Sequence, residues 1–169
     1  LVLQLHVLVV KLSMIALALA VIYPFLKRVF WLPQAWLGIA FGFGIPMAFA
    51  AHQYHVVPLA WVVLLANVFW AIAYDTEYAM VDRDDDIKLG LKSSAILFGR
   101  FDVIGVMVCH TLFLLCLAYV GYQARLGVCF FSGLVVAALL IAHQYVLIRE
   151  RRRDGCFSAF RANNLVGAV

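Results

Sequence analysis

The chain has 169 residues, of which 66% are hydrophobic and only 13% charged, with a formal net charge of +4 and a mean hydropathy of +1.00. Water-soluble globular domains carry about a quarter charged residues, so this composition excludes that class. The positive charge does not indicate nucleic-acid binding, because the cations stand between apolar runs, as they do in the loops of membrane proteins.

The apolar runs are long enough to cross a membrane, since roughly 20 apolar residues span the hydrocarbon core as a helix. Full spans are predicted, in chain order, at about 12–26, 34–51, 58–78, 103–122 and 128–148. Partial helices are expected over 1–10 and 164–169. The chain opens on Leu and both its ends are apolar, which indicates a fragment.

Backbone polar groups must be satisfied within each segment inside the bilayer, so these runs predict an all-α, polytopic transmembrane helical bundle. No repeat, low-complexity tract or linker interrupts the chain. Residues 1–169 are therefore predicted to form a single, partial, membrane-embedded domain.

The distribution of cations predicts the orientation of this bundle. Alternating spans place the connections 27–33, 75–100 and 149–161 on one side of the membrane, together with every Lys and Arg except Lys11 and Arg125. By the positive-inside rule this side is cytoplasmic.

Two glycines lie one helical turn apart in the second span. Gly38 and Gly42 form a small-xxx-small pair, and Pro46 follows them. A phosphate-binding glycine loop requires a preceding strand, which is not expected here, so the pattern favours close helix packing with a proline kink.

Six of the nine acidic residues fall within residues 75–86, at the end of the third span. If the helix of that span continues past Tyr78, then Asp75, Asp82 and Asp86 lie within about 40° of one another around its axis. Carboxylates on one stripe repel each other unless a cation is present. Mg²⁺ typically binds one or two carboxylates together with substrate phosphates, so the stripe predicts a cation site.

Basic residues on the same side of the membrane would complement an anionic substrate. Lys27 and Arg28 end the first span, where they could meet a diphosphate, Arg as a bidentate fork and Lys as a point charge. Two alternatives stay open. The acidic run 82–86 could be a solvated loop balanced by Arg83 and Lys88, or it could be the ion site of a membrane cation transporter.

The string Tyr-Asp-Thr-Glu-Tyr-Ala-Met-Val-Asp-Arg-Asp-Asp-Asp-Ile-Lys-Leu-Gly-Leu-Lys-Ser-Ser, over residues 74–94, closely resembles the second aspartate-rich motif of the UbiA family of intramembrane aromatic prenyltransferases. Three further stretches agree with that family: Tyr-Pro-Phe-Leu-Lys-Arg at 23–28, the Gly-rich span 37–51, and Cys-Phe-x-Ala-Phe-x-x-Asn-Asn at 156–164. The resemblance covers essentially the whole chain.

The resemblance implies a transmembrane bundle around a cavity that opens to the lipid bilayer. It implies Mg²⁺-dependent transfer of a polyprenyl group from polyprenyl diphosphate to the ring of 4-hydroxybenzoate, ortho to the phenol, in ubiquinone biosynthesis. The location that it implies is a bacterial inner membrane, with the active site facing the cytoplasm. No nucleic-acid partner is implied, and no protein partner can be inferred. The family's first motif, N-D-x-x-D-x-x-x-D, does not occur in these residues, so activity of this chain alone is not implied.

Residue by residue, Asp82 and Asp86 match the family's D-x-x-x-D pair that binds Mg²⁺ and diphosphate. Lys27 and Arg28 match basic residues that contact the diphosphate or the aromatic acid, and all four are predicted to be catalytic. Substrate binding is predicted for Asp75, Tyr78, Lys92 and Tyr74. CDP-alcohol phosphotransferases share a D-x-x-x-D ending but are set aside, because the D-G-x-x-A-R element of that family is not found in the sequence.

Overall fold

A computed structural model describes residues 4–169, apart from the side chains of Lys27 and Arg28. This part of the chain is helical and contains no strand. Its helices are α1 (Val7–Val29), α2 (Pro33–Gly42), α3 (Gly44–Gln53), α4 (Pro58–Lys88), α5 (Ser94–Phe98), α6 (Asp102–Gln123), α7 (Val128–Ile148) and α8 (Arg153–Ala168).

Five helical segments are long and apolar enough to cross a membrane, which confirms the predicted all-α integral membrane bundle. These segments are Val7–Leu26, Pro33–Gln53, Pro58–Lys88, Ser94–Gln123 and Val128–Ile148. The first segment begins earlier than the predicted span 12–26. Helix α1 begins at Val7 and runs past Lys11 without a break, so residues 7–10 belong to the first full span and not to a separate helix.

Helix α4 lies at the centre of the bundle and packs against α2, α3, α6 and α8. The approach of α2 depends on glycine: a Cβ atom on Gly38 would lie 2.8 Å from the Cβ of Ala71, and one on Gly42 would lie 2.5 Å from Cδ1 of Leu64. The predicted close packing is therefore confirmed. The span is interrupted at Phe43, between α2 and α3.

The prediction that 149–161 is a loop is wrong from Arg153 onwards, because α8 begins there. Cys156, Ala159 and Val166 recur at helical spacing and are buried, whereas the cations of this segment are exposed. Burial raises the pKa of the Cys156 thiol to about 11, so the thiol stays protonated and packs as a small apolar group. Helix α8 is amphipathic and packs on α4 and α7. The cations on its exposed face made this segment resemble a loop in the sequence.

The acidic segment is helical to its end, because α4 extends over 31 residues to Lys88. The solvated-loop alternative for 82–86 is therefore wrong. The helix ends in a Schellman motif, in which Gly90 has φ +66°. The N–H of Gly90 donates to the carbonyl of Ile87 at 3.2 Å, and the N–H of Leu91 donates to the carbonyl of Asp86 at 2.9 Å. This turn directs the following residues back along the acidic face of α4.

Candidate functional site

A small pocket lies between the acidic end of α4 and the segment that follows it. Asp75, Tyr78, Asp82 and Asp86 line the pocket from α4, which is the stripe that the helical spacing predicts. The cavity measures about 60 Å³, enough for a few water-sized groups and too small for an aromatic ring with a prenyl chain. Its size and lining suit an ion and the phosphate groups of a substrate.

The opposite wall of the pocket carries groups that can donate hydrogen bonds. Gln34 at the start of α2, and Lys92 and Ser93 in the connection to α5, face the aspartates. Of these three residues, sequence analysis assigned only Lys92 to the site. Gln34 and Ser93 were missed, and the one signal for Ser93 was its place in the aspartate-rich string.

Lys92 is held at the pocket by two contacts. Its ammonium donates a hydrogen bond to the carbonyl of Val29 at 3.0 Å and lies 4.5 Å from the ring centroid of Trp31. The lysine therefore ties the connection after α4 to the end of α1. Lys27 and Arg28 belong to that end of α1, but their side chains lie outside the described residues, so their predicted role stays a prediction.

Tyr74 does not line the pocket and belongs to a row of aromatic rings between α4 and α8. Its ring lies 5.5 Å from that of Trp70 and 6.2 Å from that of Phe160, while Tyr78 lies 5.0 Å from Phe160. The row begins at the pocket with Tyr78 and continues into the bundle. Such ring faces can stabilise a cationic centre.

Arg153, which sequence analysis counted only as a topological cation, reaches the acidic cluster from the first turn of α8. One of its guanidinium nitrogens lies 3.7 Å from Asp82 and 3.4 Å from Asp85. The arginine side chain is 65% exposed, so these contacts are weak and easily exchanged for another anion.

Arg83 stands within the acidic string but points away from the pocket. It donates to the carbonyl of Ala95 at 2.9 Å and forms an ion pair with Asp102, which is buried at the start of α6. Arg151 binds the same carboxylate at 2.9 Å. Arg83 therefore fixes the end of α4 to α6 and does not serve to balance the aspartate stripe.

Glu77 is not part of the acidic pocket. It is fully buried on the face of α4 that packs against α6 and α8. The amide of Asn163 donates to its carboxylate at 2.7 Å and accepts from the indole of Trp70 at 3.1 Å. His110 lies 3.7 Å from the other carboxylate oxygen. These contacts attach α8 to α4 beneath the aromatic row.

The pocket offers oxygen ligands to a metal ion, but few of them. The described residues contain no group of three or more His, Cys, Asp or Glu side chains placed to hold a metal. Asp82 and Asp86, one turn apart and facing the same cavity, supply two carboxylates. A pair of carboxylates completed by phosphate oxygens is the usual protein environment of Mg²⁺, so this donor set fits Mg²⁺ bound together with a diphosphate.

Comparison with known proteins gives one family and a consistent set of relatives. A family described as the UbiA prenyltransferase family matches residues 1–165. Proteins named 4-hydroxybenzoate octaprenyltransferase from Azoarcus sp. (strain BH72) and Cupriavidus metallidurans are 61% and 59% identical over 100% and 99% of this chain. The chain spans 59% and 57% of the length of these two relatives.

A solved structure, described as the apo structure of a UbiA homolog from Aeropyrum pernix K1, has the same fold. It superimposes with a TM-score of 0.80 at 25% sequence identity, over 98% of this chain and 64% of the other.

Proposed function

The chain belongs to the UbiA prenyltransferase family, and from this premise we propose that the protein transfers a polyprenyl group to the ring of 4-hydroxybenzoate in ubiquinone biosynthesis. The name shared by its relatives supports this substrate pair. The structural observation that carries the proposal is the pocket in which Asp75, Asp82 and Asp86 face Lys92. A diphosphate with its counter-cation matches this combination of charges.

The proposed reaction is an electrophilic aromatic substitution. The bond between the allylic carbon and the diphosphate oxygen breaks, the ring carbon ortho to the phenol attacks that carbon, and the ring then loses its proton. Asp82 and Asp86 would hold Mg²⁺, which when bound neutralises charge on the departing diphosphate. Lys92 adds a fixed positive charge on the opposite wall of the pocket.

Aromatic side chains would serve the other half of the reaction, in which the allylic carbon gains positive character. Tyr78 lines the pocket, and Phe160 and Tyr74 continue the row into the bundle. We propose that these rings lie beside the allylic end of the substrate, where their faces stabilise the cation and exclude water. Lys27 and Arg28 keep their predicted role at the diphosphate or at the carboxylate of the aromatic acid.

The membrane orientation is part of the same proposal. The acidic end of α4 lies beside the arginine-rich turn between α7 and α8, through the contacts of Arg153 with Asp82 and Asp85. The excess of cations at this end favours the cytoplasmic side of a bacterial inner membrane. We propose one membrane-embedded domain, with its active site opening to the cytoplasm.

A membrane cation transporter is the competing function, and the geometry gives it less support. Ion sites of transporters lie near the bilayer midplane, often at broken helices. Asp82 and Asp86 lie in the last two turns of the continuous helix α4, and Asp82 lies beside Arg153, whose charge would oppose a bare cation.

An activity assay tests the proposal directly. This chain, and a reading frame extended to the length of its relatives, would be expressed in membranes that lack the endogenous activity. Polyprenyl diphosphate, 4-hydroxybenzoate and Mg²⁺ would then be supplied, with a chelator as the control. We expect Mg²⁺-dependent prenylated product from the extended frame. Ion flux without any product from that frame would contradict the proposal and support a transporter.

A further inference from the structure

Two neighbouring serines at the end of the aspartate-rich string have different environments. Both are buried, with Ser93 3% and Ser94 0% exposed. The Ser94 hydroxyl lies 2.6 Å from that of Thr76 on α4. The Ser93 hydroxyl has no hydrogen-bond partner in the part of the chain that the structure describes, and Ser93 lines the pocket opposite the aspartates.

A buried hydroxyl without a partner is uncommon, because it loses its bonds to water and gains none in return. Ser93 immediately precedes α5, where a serine normally accepts a hydrogen bond from the first turn of the helix, yet it makes no such capping bond. Among the described residues the hydroxyl therefore serves neither for capping nor for packing between helices. It remains free to bind a group that enters the pocket.

The backbone around Ser93 is fixed on both sides, so its position in the pocket is defined. The Schellman motif at Gly90 turns the chain back toward the acidic face of α4. On the other side, the N–H of Ser94 donates to the side-chain oxygen of Gln34 at 3.2 Å, and the Ser94 hydroxyl meets Thr76. Ser94 thus anchors the segment that presents Ser93.

We propose that the Ser93 hydroxyl is a substrate ligand that donates a hydrogen bond to a phosphate oxygen of the prenyl diphosphate. This inference rests on the proposed function. Phosphate oxygens are strong acceptors, and Lys92, whose ammonium binds the carbonyl of Val29, lines the pocket next to Ser93. The carboxylates on the facing wall accept hydrogen bonds and bind a phosphate only through a cation. Lys92 and Ser93 together form the donor wall of a diphosphate site.

The chain offers a matched pair of variants, because Ser93 and Ser94 are adjacent, buried and chemically identical. Ser93→Ala, Ser93→Cys and Ser94→Ala would be made in the protein extended to the length of its relatives. Three quantities are measured: the melting temperature in detergent, its rise with inorganic pyrophosphate and Mg²⁺, and the KM values for both substrates. The pyrophosphate rise reports binding without requiring turnover.

For both Ser93 variants we expect the melting temperature of the parent, loss of most of the pyrophosphate-induced rise, and a KM for polyprenyl diphosphate increased about tenfold or more. The KM for 4-hydroxybenzoate stays within about twofold, since the lost bond does not involve that substrate. Ser94→Ala is expected to lower the melting temperature and to leave the pyrophosphate rise intact, because its hydroxyl binds Thr76.

An unchanged pyrophosphate-induced rise in Ser93→Ala would overturn the inference, as would an increase in KM for 4-hydroxybenzoate alone. A failure of the proposed function gives a different result. If the parent protein forms no prenylated product but its pyrophosphate-induced rise still depends on Ser93, the phosphate site stands and the assigned reaction does not.

Discussion

The Nε atom of Arg151 lies 2.9 Å from the carboxylate of Asp102, a residue with no exposed surface. Arg83 binds the other oxygen of the same carboxylate. Arg151 takes a left-handed backbone conformation, with φ +54°, in the turn between α7 and α8. One buried aspartate therefore joins α4, α6 and that turn.

Removing the charge of Asp102 should destabilise the protein strongly. Asp102→Asn leaves two guanidinium groups without their counter-ion, and breaking a buried ion pair costs about 3–5 kcal/mol. Since Arg151 is 41% exposed, we expect a loss of roughly 2–3 kcal/mol in the free energy of unfolding, measured by denaturant titration in detergent. Lys88→Gln is the control: its ion pair with Asp85 is exposed and should contribute less than about 1 kcal/mol. Equal losses in the two variants would contradict a stabilising role of the ion pairs that Asp102 forms with Arg83 and Arg151.

A methyl group on Gly38 should separate α2 from α4. The added Cβ would lie 2.9 Å from the Cα of Val68 and 2.8 Å from the Cβ of Ala71, so the backbones themselves would have to move apart. We expect Gly38→Ala to lower the free energy of unfolding by about 1–3 kcal/mol. At Gly44 a Cβ meets no atom of the described structure within 4 Å, and Gly44→Ala should be tolerated. Similar stability of both variants would argue against the close packing.

Asn163 should contribute far more to stability than its neighbour. It donates to Glu77 at 2.7 Å and accepts from Trp70 at 3.1 Å, so Asn163→Leu leaves a buried carboxylate without its donor. The expected loss is about 2 kcal/mol or more. Asn164 is exposed, and Asn164→Leu should change the melting temperature little. Equal melting temperatures of the two variants would show that the hydrogen bonds of Asn163 with Glu77 and Trp70 do not hold α8 in place.

The proposed orientation predicts which introduced thiols are accessible from outside the cell. In a background whose four cysteines are replaced by alanine, Gly127→Cys lies in the connection between α6 and α7, and Lys88→Cys lies at the end of α4. A membrane-impermeant maleimide should label the first variant on intact spheroplasts and the second only after the membrane is disrupted. The reverse pattern would place the acidic pocket on the outer side.

Local features of the sequence were sufficient for the spans, the acidic stripe and the close packing at Gly38. Each depends on hydrophobicity or on helical spacing within one segment, so no knowledge of distant residues is required. The stripe of Asp75, Asp82 and Asp86 follows from helix geometry alone once α4 is known to continue past Tyr78.

The features that were missed depend on partners distant in sequence. Asp102 is a lone acid before an apolar span, and its two arginine partners lie on α4 and beyond α7. Glu77 belongs to the acidic run but faces another side of the helix, where the amide of Asn163 donates a hydrogen bond to its carboxylate. Helix α8 was missed because its exposed arginines lower the average hydrophobicity of the segment, although a few of its positions are buried.

The most direct test of the central claim compares Asp82→Asn with Asp84→Asn in the protein extended to the length of its relatives. Asp82 lines the pocket, whereas Asp84 is exposed, about 160° away around the helix, in a separate cleft beside Arg83 and Arg151. We expect Asp82→Asn to lower the rate of 4-hydroxybenzoate prenylation about 100-fold or more with normal membrane insertion, and Asp84→Asn to stay within a few-fold of the parent. Near-normal turnover in Asp82→Asn would contradict the assignment of this pocket as the active site.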